Sequence, residues 1–353
     1  MRKGKRLIAW IMAVVMLFTI CVFGGNGTAE AAATTPVAKH GRLSVKGADL
    51  VDSKENKFQL RGISTHGINW DVGSPYVNKK AFKTLRDDWG VNAIRLAMYT
   101  EEYNGYCSGG SQAKLRKLVD KGVGYATDLG MYAIIDWHIL SDGNPNKNKS
   151  QAKKFFTTMA KKYKNNKNVI YEICNEPNGC GWKEIKSYAT DIIKTIRKYD
   201  KKAVIIVGTP TWSQLGTDGT SNEVADSPIK GYKNIMYSLH FYASEWAHNE
   251  YLPAKVAYAR KKKLPIIVSE FGLSPASGDG AINKASADKW MKLLNKYNIS
   301  YFCWSLSNKN ESASLLKPST KKTSGWKSGD LSTAGKYIKK KYLARKKALG
   351  KKA

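Results

Sequence analysis

Acidic residues are scarce in this chain of 353 residues: 28 Asp and Glu stand against 59 Lys and Arg, a formal net charge of +31. Such an excess attracts polyanions at long range and raises nucleic acid as a partner. The lysines instead fall on the polar faces of predicted helices, as in Lys153, Lys154, Lys161, Lys162 and Lys164. There is no zinc-finger spacing, helix-turn-helix pattern or aromatic RNA-binding motif. The expectation is no nucleic-acid partner, and solvated basic faces with general adhesion to anionic cell-wall polymers. Cysteine is sparse too, and without a CxxC a zinc ribbon has no ligand frame. No GxGxxG follows the first strand-like run, where Ser64-Thr-His-Gly-Ile-Asn-Trp70 stands instead, which disfavours an open doubly wound nucleotide-binding sheet. No tandem repeat, Pro/Ser/Thr linker or second domain is visible.

Apolar residues run long only near the start. Arg2, Lys3, Lys5 and Arg6 precede an apolar stretch from Leu7 to Phe23, and small residues follow at Ala29-Glu30-Ala31-Ala32-Ala33. This pattern predicts a cleaved secretory signal over residues 1–33 and an extracellular protein. Lipidation at Cys21 is disfavoured by Ile20 before it, and no later run reaches the roughly 20 apolar residues of a membrane span. Cleavage would leave 353 − 33 = 320 residues with net charge +31 − 3 = +28, since the leader holds four bases and one acid. Cys107, Cys174, Cys180 and Cys303 remain, with disulfides possible in an oxidising compartment but not implied.

What the chain does have is strand-helix alternation. Leu43 to Asp52 and Lys57 to Leu60 read as a small antiparallel hairpin plugging one end of the domain. Eight strand-like runs follow: Gln59 to Ser64, Ala93 to Ala97, Tyr132 to Trp137, Val169 to Ile173, Ala203 to Val207, Ile235 to Leu239, Ile266 to Ser269 and Ser300 to Trp304. Helix-period segments lie between them, among them Lys79 to Trp89, Gln112 to Leu129, Gln151 to Tyr163, Trp182 to Tyr199 and Ala285 to Tyr297. Strand-helix alternation repeated eight times, with each connection long enough for a right-handed crossover, predicts parallel strands closed into a (β/α)8 TIM barrel of class α/β. The domain is expected over residues 34–340, with 341–353 a basic tail on a fraying last helix, as a monomer.

A barrel gathers its strand ends at one mouth, and here those ends are polar or aromatic. The first leads to His66 and Trp70, the second to Arg95 and Tyr99, the third to His138, and the fourth to Asn175 and Glu176. Trp212 follows the fifth, His240 and Tyr242 the sixth, Glu270 the seventh and Trp304 the eighth. Cleaving a glycosidic bond takes one carboxylic acid to protonate the leaving oxygen and a second carboxylate as nucleophile or base. Glu176, beside Asn175 whose amide can hold a sugar hydroxyl, suits the acid/base; Glu270, within reach of Arg95 and Tyr242, suits the nucleophile. Glu172 faces the same way one layer deeper and reads as an ion-pair or hydrogen-bond partner. His66, His138 and His240 raise a zinc alternative, but a metallohydrolase barrel would carry His-x-His at the first strand, and His66 stands alone; no metal or cofactor is expected. Trp70, Trp212, Trp304 and Tyr242 suit stacking on pyranose faces.

The segments Asn-Ala-Ile-Arg95-Leu, Asp-Trp-His138, Ile-Tyr-Glu-Ile-Cys-Asn175-Glu176-Pro-Asn-Gly, Leu-His240-Phe-Tyr242, Val-Ser-Glu270-Phe-Gly and Phe-Cys-Trp304-Ser-Leu-Ser-Asn-Lys309-Asn-Glu311 together resemble the glycoside hydrolase family 5 cellulases, in their bacterial endoglucanase subfamily. The match covers residues 40 to about 340. The resemblance implies a retaining endo-β-1,4-glucanase acting on cellulose and soluble β-glucan oligosaccharides. It implies Glu176 as acid/base, Glu270 as nucleophile, and Arg95, His138, Asn175, His240 and Tyr242 as their support. It also implies Trp304 beneath the reacting sugar, His66, Trp70, Tyr99, Lys309 and Glu311 on the non-reducing side, and Trp212 on the leaving-group side. Many relatives carry a small residue where Cys174 stands, and many carry an appended carbohydrate-binding module, which is not found here. Open alternatives are the same machinery on β-mannan, xyloglucan or mixed-linkage glucan, and a silent carbohydrate-binding or wall-adhesive barrel.

Overall fold

The computed structural model describes residues 34–350, so the proposed leader lies outside the described residues. Among the described residues there are ten strands: β1 Ser44–Lys46, β2 Asp49–Val51, β3 Arg61–Thr65, β4 Ala93–Tyr99, β5 Tyr132–His138, β6 Val169–Glu172, β7 Ile205–Val207, β8 Ile235–Tyr242, β9 Ile266–Gly272 and β10 Tyr301–Leu306. β3 to β10 pair in parallel, in chain order, and close with β10 against β3. This is the expected TIM barrel.

Period-two alternation explains why each strand is apolar almost throughout, as both of its faces are covered. In β4, Ile94, Leu96 and Met98 pack outward into the large core shared with the helices. Ala93 joins an apolar plug inside one end of the barrel, and Ala97 and Tyr99 join an aromatic cluster at the other. Arg95 lies between them, fully buried. The helices follow from stripe and cap: in Lys79–Trp89 the Asn78 side chain accepts from the Ala81 N–H, Ala81, Phe82, Leu85 and Trp89 are buried, and left-handed Gly90 stops the helix.

Three details differ from the sequence reading. The hairpin is tighter than expected: β1 and β2 both fall within Leu43 to Asp52 and turn at Gly47 (φ +60°), while Lys57 forms only an isolated bridge with Val51. Leu43, Leu50 and Phe58 still seal the barrel floor. The basic tail is no separate segment, because the helix Thr333–Gly350 runs through residue 340. Tyr342 is buried and donates to the Gly62 carbonyl at 2.9 Å, and Arg345 Nε donates to Gln59 Oε1 at 2.8 Å. The surrounding lysines conceal the spacing of Ile338 and Tyr342, one helical turn apart on the buried face. Finally, several strands run further than expected, since ladder pairing continues through polar residues: Tyr99 pairs with His138, and His240 with Glu270. All four cysteines within the described residues are free, with Cys174 and Cys303 buried.

Candidate active site

Arg95 organises the barrel interior beneath the mouth. Its Nε donates to Glu172 Oε2 (2.7 Å), Nη1 to Glu270 Oε2 (3.0 Å), and Nη2 to Asn175 Oδ1 (2.6 Å) with Asp136 Oδ2 at 3.0 Å. Burial alone would lower the guanidinium's pKa, but Asp136, Glu172 and Glu270 raise it, so Arg95 stays charged. One cation cannot balance three enclosed carboxylates. Burial accordingly pushes Asp136 up to about 7 and raises Glu172. Glu172 thus takes the supporting role that its depth suggested.

Glu270 is held at both oxygens, Oε2 by Arg95 and Oε1 by the Tyr242 hydroxyl at 2.8 Å. Two donors and no acceptor suit an anionic, oriented carboxylate. Glu176 has the opposite surroundings. Its Oε1 lies 2.8 Å from His240 Nδ1, its side chain is only 13% exposed, and burial pushes its pKa up to about 8, against 4.5 for an ordinary glutamate. His240 is itself pushed down to about 4 by burial, so a neutral imidazole faces the acid, with Nε2 on Ser269 Oγ at 2.9 Å. A carboxyl group whose proton is held by burial and a second one held by two hydrogen-bond donors thus share one mouth.

His138 is also neutral, lowered to about 3 by burial. Its Nδ1 contacts Asp136 Oδ2 at 2.6 Å, and its Nε2 accepts from Asn175 Nδ2 at 3.1 Å, which fixes the hydrogen on Nδ1. Asn175 gives its other amide hydrogen to the Ile139 carbonyl. Both amide hydrogens of Asn175 are thus taken, and its Oδ1 already accepts from Arg95, whereas the sequence reading offered the whole amide to a sugar hydroxyl.

Above this layer lies a cleft of about 650 Å³ lined by His66, Trp70, Tyr99, His138, Glu176, Trp212, His240, Tyr242, Glu270, Trp304, Lys309 and Glu311. Of the residues singled out in the sequence, Arg95 and Asn175 lie below the lining. Trp304 stacks on His138 with ring centroids 5.4 Å apart and lies 5.1 Å from His66. Trp70 packs on Tyr99 at 4.5 Å and donates its Nε1 hydrogen to the Tyr103 carbonyl at 2.8 Å. Lys309 Nζ meets Glu311 Oε2 at 2.5 Å, and burial raises the Glu311 pKa. The lining also includes Glu102, Leu140, Gln214, Glu245, His248 and the segment Ala276 to Gly278, which the sequence reading missed. Glu102 and Glu245 each stand three residues past a strand-ending tyrosine, Tyr99 and Tyr242, a signal available in the sequence.

One ligand atom each from Glu176, His240 and Glu270 lie within 4.8 Å of one another, a spacing that could hold a metal ion. The donor set fits one poorly. Arg95 stands 3.0 Å from Glu270, and both ring nitrogens of His240 already face partners, Glu176 and Ser269.

Residues 51–310 match the family model described as cellulase (glycosyl hydrolase family 5). The chain belongs to glycosyl hydrolase family 5. An endoglucanase of Clostridium saccharobutylicum is 47% identical over 341 residues, which covers 95% of this chain and 72% of that protein. Endoglucanase 5 of Pectobacterium carotovorum subsp. carotovorum is 44% identical over 92% of this chain, which spans 62% of that relative's length. Among solved structures, the catalytic domain of the Thermobifida fusca endoglucanase Cel5A superposes with a TM-score of 0.81 at 36% identity, covering 88% of this chain and 99% of that one. This family 5 protein is a glycoside hydrolase of the endoglucanase class, and its Glu176 and Glu270 face one cleft.

Proposed function

We propose that the protein is a secreted, retaining endo-β-1,4-glucanase that cuts internal bonds of cellulose and related soluble β-glucans. The observation that carries the reading is the carboxyl pair: oxygens of Glu176 and Glu270 within 4.8 Å, one group surrounded by donors and the other with its pKa pushed up to about 8. Inverting enzymes hold their carboxyl groups roughly 6.5 to 9.5 Å apart to admit a water, so the short spacing favours direct attack. In the first step Glu270 bonds to the anomeric carbon as the glycosidic C–O bond breaks, and Glu176 gives its proton to the departing oxygen. In the second, Glu176 takes a proton from water, the water oxygen bonds to the anomeric carbon, and Glu270 leaves as a carboxylate. Arg95 and Tyr242 position that carboxylate in both steps, and Trp304 offers a face for the reacting sugar. A complex of the related Thermobifida fusca enzyme with cellotetraose supports a cellulosic chain as the ligand.

Purified protein assayed on carboxymethyl-cellulose and on β-mannan, by viscosity and reducing ends together, tests the substrate. Rapid loss of viscosity on the cellulose derivative and little on mannan is expected. Preference for mannan would overturn the specificity, and inactivity on every β-glucan would leave the binding-barrel alternative. Amino-terminal sequencing of protein from the culture medium tests secretion, with a start near residue 34 expected.

A further inference from the structure

Trp212, Trp246 and Tyr251 are exposed by 47%, 68% and 37%, and among the described residues the large aromatics exposed to this degree are these three and Tyr103. All four follow the carboxyl ends of barrel strands, on the face that holds the cleft. Exposing an indole forgoes the favourable burial of a large apolar side chain. Clustering at one mouth is the arrangement that carbohydrate stacking uses.

Trp246 opens the helix Trp246–Lys261 directly after β8, and its neighbours Glu245 and His248 line the cleft. They are fixed in place: Glu245 Oε1 accepts from the Ala276 N–H at 2.7 Å, and His248 Nδ1 accepts from the Tyr242 N–H at 2.9 Å. The indole meets Tyr251 edge to face, with centroids 5.8 Å apart. Tyr251 in turn lies against Gly219, where an added Cβ would come within 2.8 Å of the ring. Gly219 belongs to the loop that leaves Trp212 through the cleft residue Gln214, and buried Lys255 ties that loop down by donating to the Gln214 and Asp218 carbonyls. A continuous rim thus runs from Trp212 to Trp246. It follows β7 and β8, whereas His66 and Trp70 follow β3, diametrically across the barrel from β7.

We infer that Trp246, braced by Tyr251, is a distal glucosyl-binding platform that extends the cleft beyond Trp212 on the leaving-group side. The inference rests on the proposed endoglucanase reading, and the ligand it names is a β-1,4-glucan chain long enough to pass Trp212. The platform contacts sugars remote from the bond that breaks, so it acts through binding and through the register in which a chain lies.

Cello-oligosaccharides of three to six units, labelled at the reducing end, test it with the wild type, Trp246→Ala and Trp246→Phe. Trp246→Ala should lower kcat/KM on cellohexaose by about 3- to 10-fold, in keeping with one aromatic contact. It should also move the cleavage sites toward the reducing end and leave cellotriose unchanged, while Trp246→Phe recovers part of the loss. An equal change at every chain length, or no change in rate and cleavage pattern on cellohexaose, overturns the platform while leaving the endoglucanase reading intact. Failure of the wild type to cut any of these oligosaccharides removes both.

Discussion

Replacing Glu176 with glutamine should stabilise the protein at alkaline pH while abolishing turnover of natural substrates. Burial holds the Glu176 proton up to about pH 8, whereas an unfolded chain releases it near 4.5. Between those values the native state binds more protons than the unfolded state, so wild-type stability falls as pH rises through the window. At about 1.36 kcal/mol per pH unit the full interval corresponds to at most ~5 kcal/mol. Glutamine keeps the shape and the contact with His240 but carries no titrating proton, so the variant escapes this loss. Urea unfolding of both proteins at pH 5 and pH 9 isolates the effect, because every other titrating group is common to the two. The stability of Glu176→Gln relative to the wild type should be more favourable at pH 9 than at pH 5 by about 2 to 5 kcal/mol. A difference independent of pH would refute the claim that burial keeps this carboxyl protonated. The same reasoning requires wild-type kcat/KM to fall as pH passes about 8, where the general acid loses its proton.

Glu176→Ala should slow cellulosic substrates far more than activated aryl cellobiosides, whose leaving groups need little protonation, whereas Glu270→Ala should be nearly inactive on both; equal losses would undo the assignment of roles. Trp304→Ala should cost turnover and Trp70→Ala mainly KM, each by about 1 to 3 kcal/mol, because Trp304 stacks on His138 beside the carboxyl pair and Trp70 lies further out on Tyr99. A Trp304→Ala enzyme changed only in KM would move that indole to a remote subsite. Activity should survive dialysis against a strong chelator, since Arg95 and the occupied ring nitrogens of His240 leave no open cation site between the glutamates. Loss restored by added zinc would overturn that.

The barrel was legible because each of its eight strands is a short apolar run between helix-period segments, and the mouth because Glu176 follows β6 while His240 and Glu270 lie near the carboxyl ends of β8 and β9. What escaped notice was concealed by local chemistry. The helix Trp246–Lys261 has no clean apolar stripe, since Pro253 interrupts it and His248 and Lys255 are among its buried residues. The last helix hides Ile338 and Tyr342 among lysines. The burial that sets the Glu176 proton, and the saturation of the Asn175 amide by His138 and Ile139, depend on neighbours more than thirty residues away. No local pattern announces them. Glu102 and Glu245 were visible as loop acids, but their approach to the cleft depends on how those loops fold.

The stereochemistry of the first product tests the central claim most directly. A proton NMR time course on cellohexaose should show the β-anomer of the new reducing end appearing first and mutarotating later, as double displacement through Glu270 demands. Initial appearance of the α-anomer would contradict the account, because a water would then have to fit between two carboxyl groups whose nearest oxygens lie within 4.8 Å.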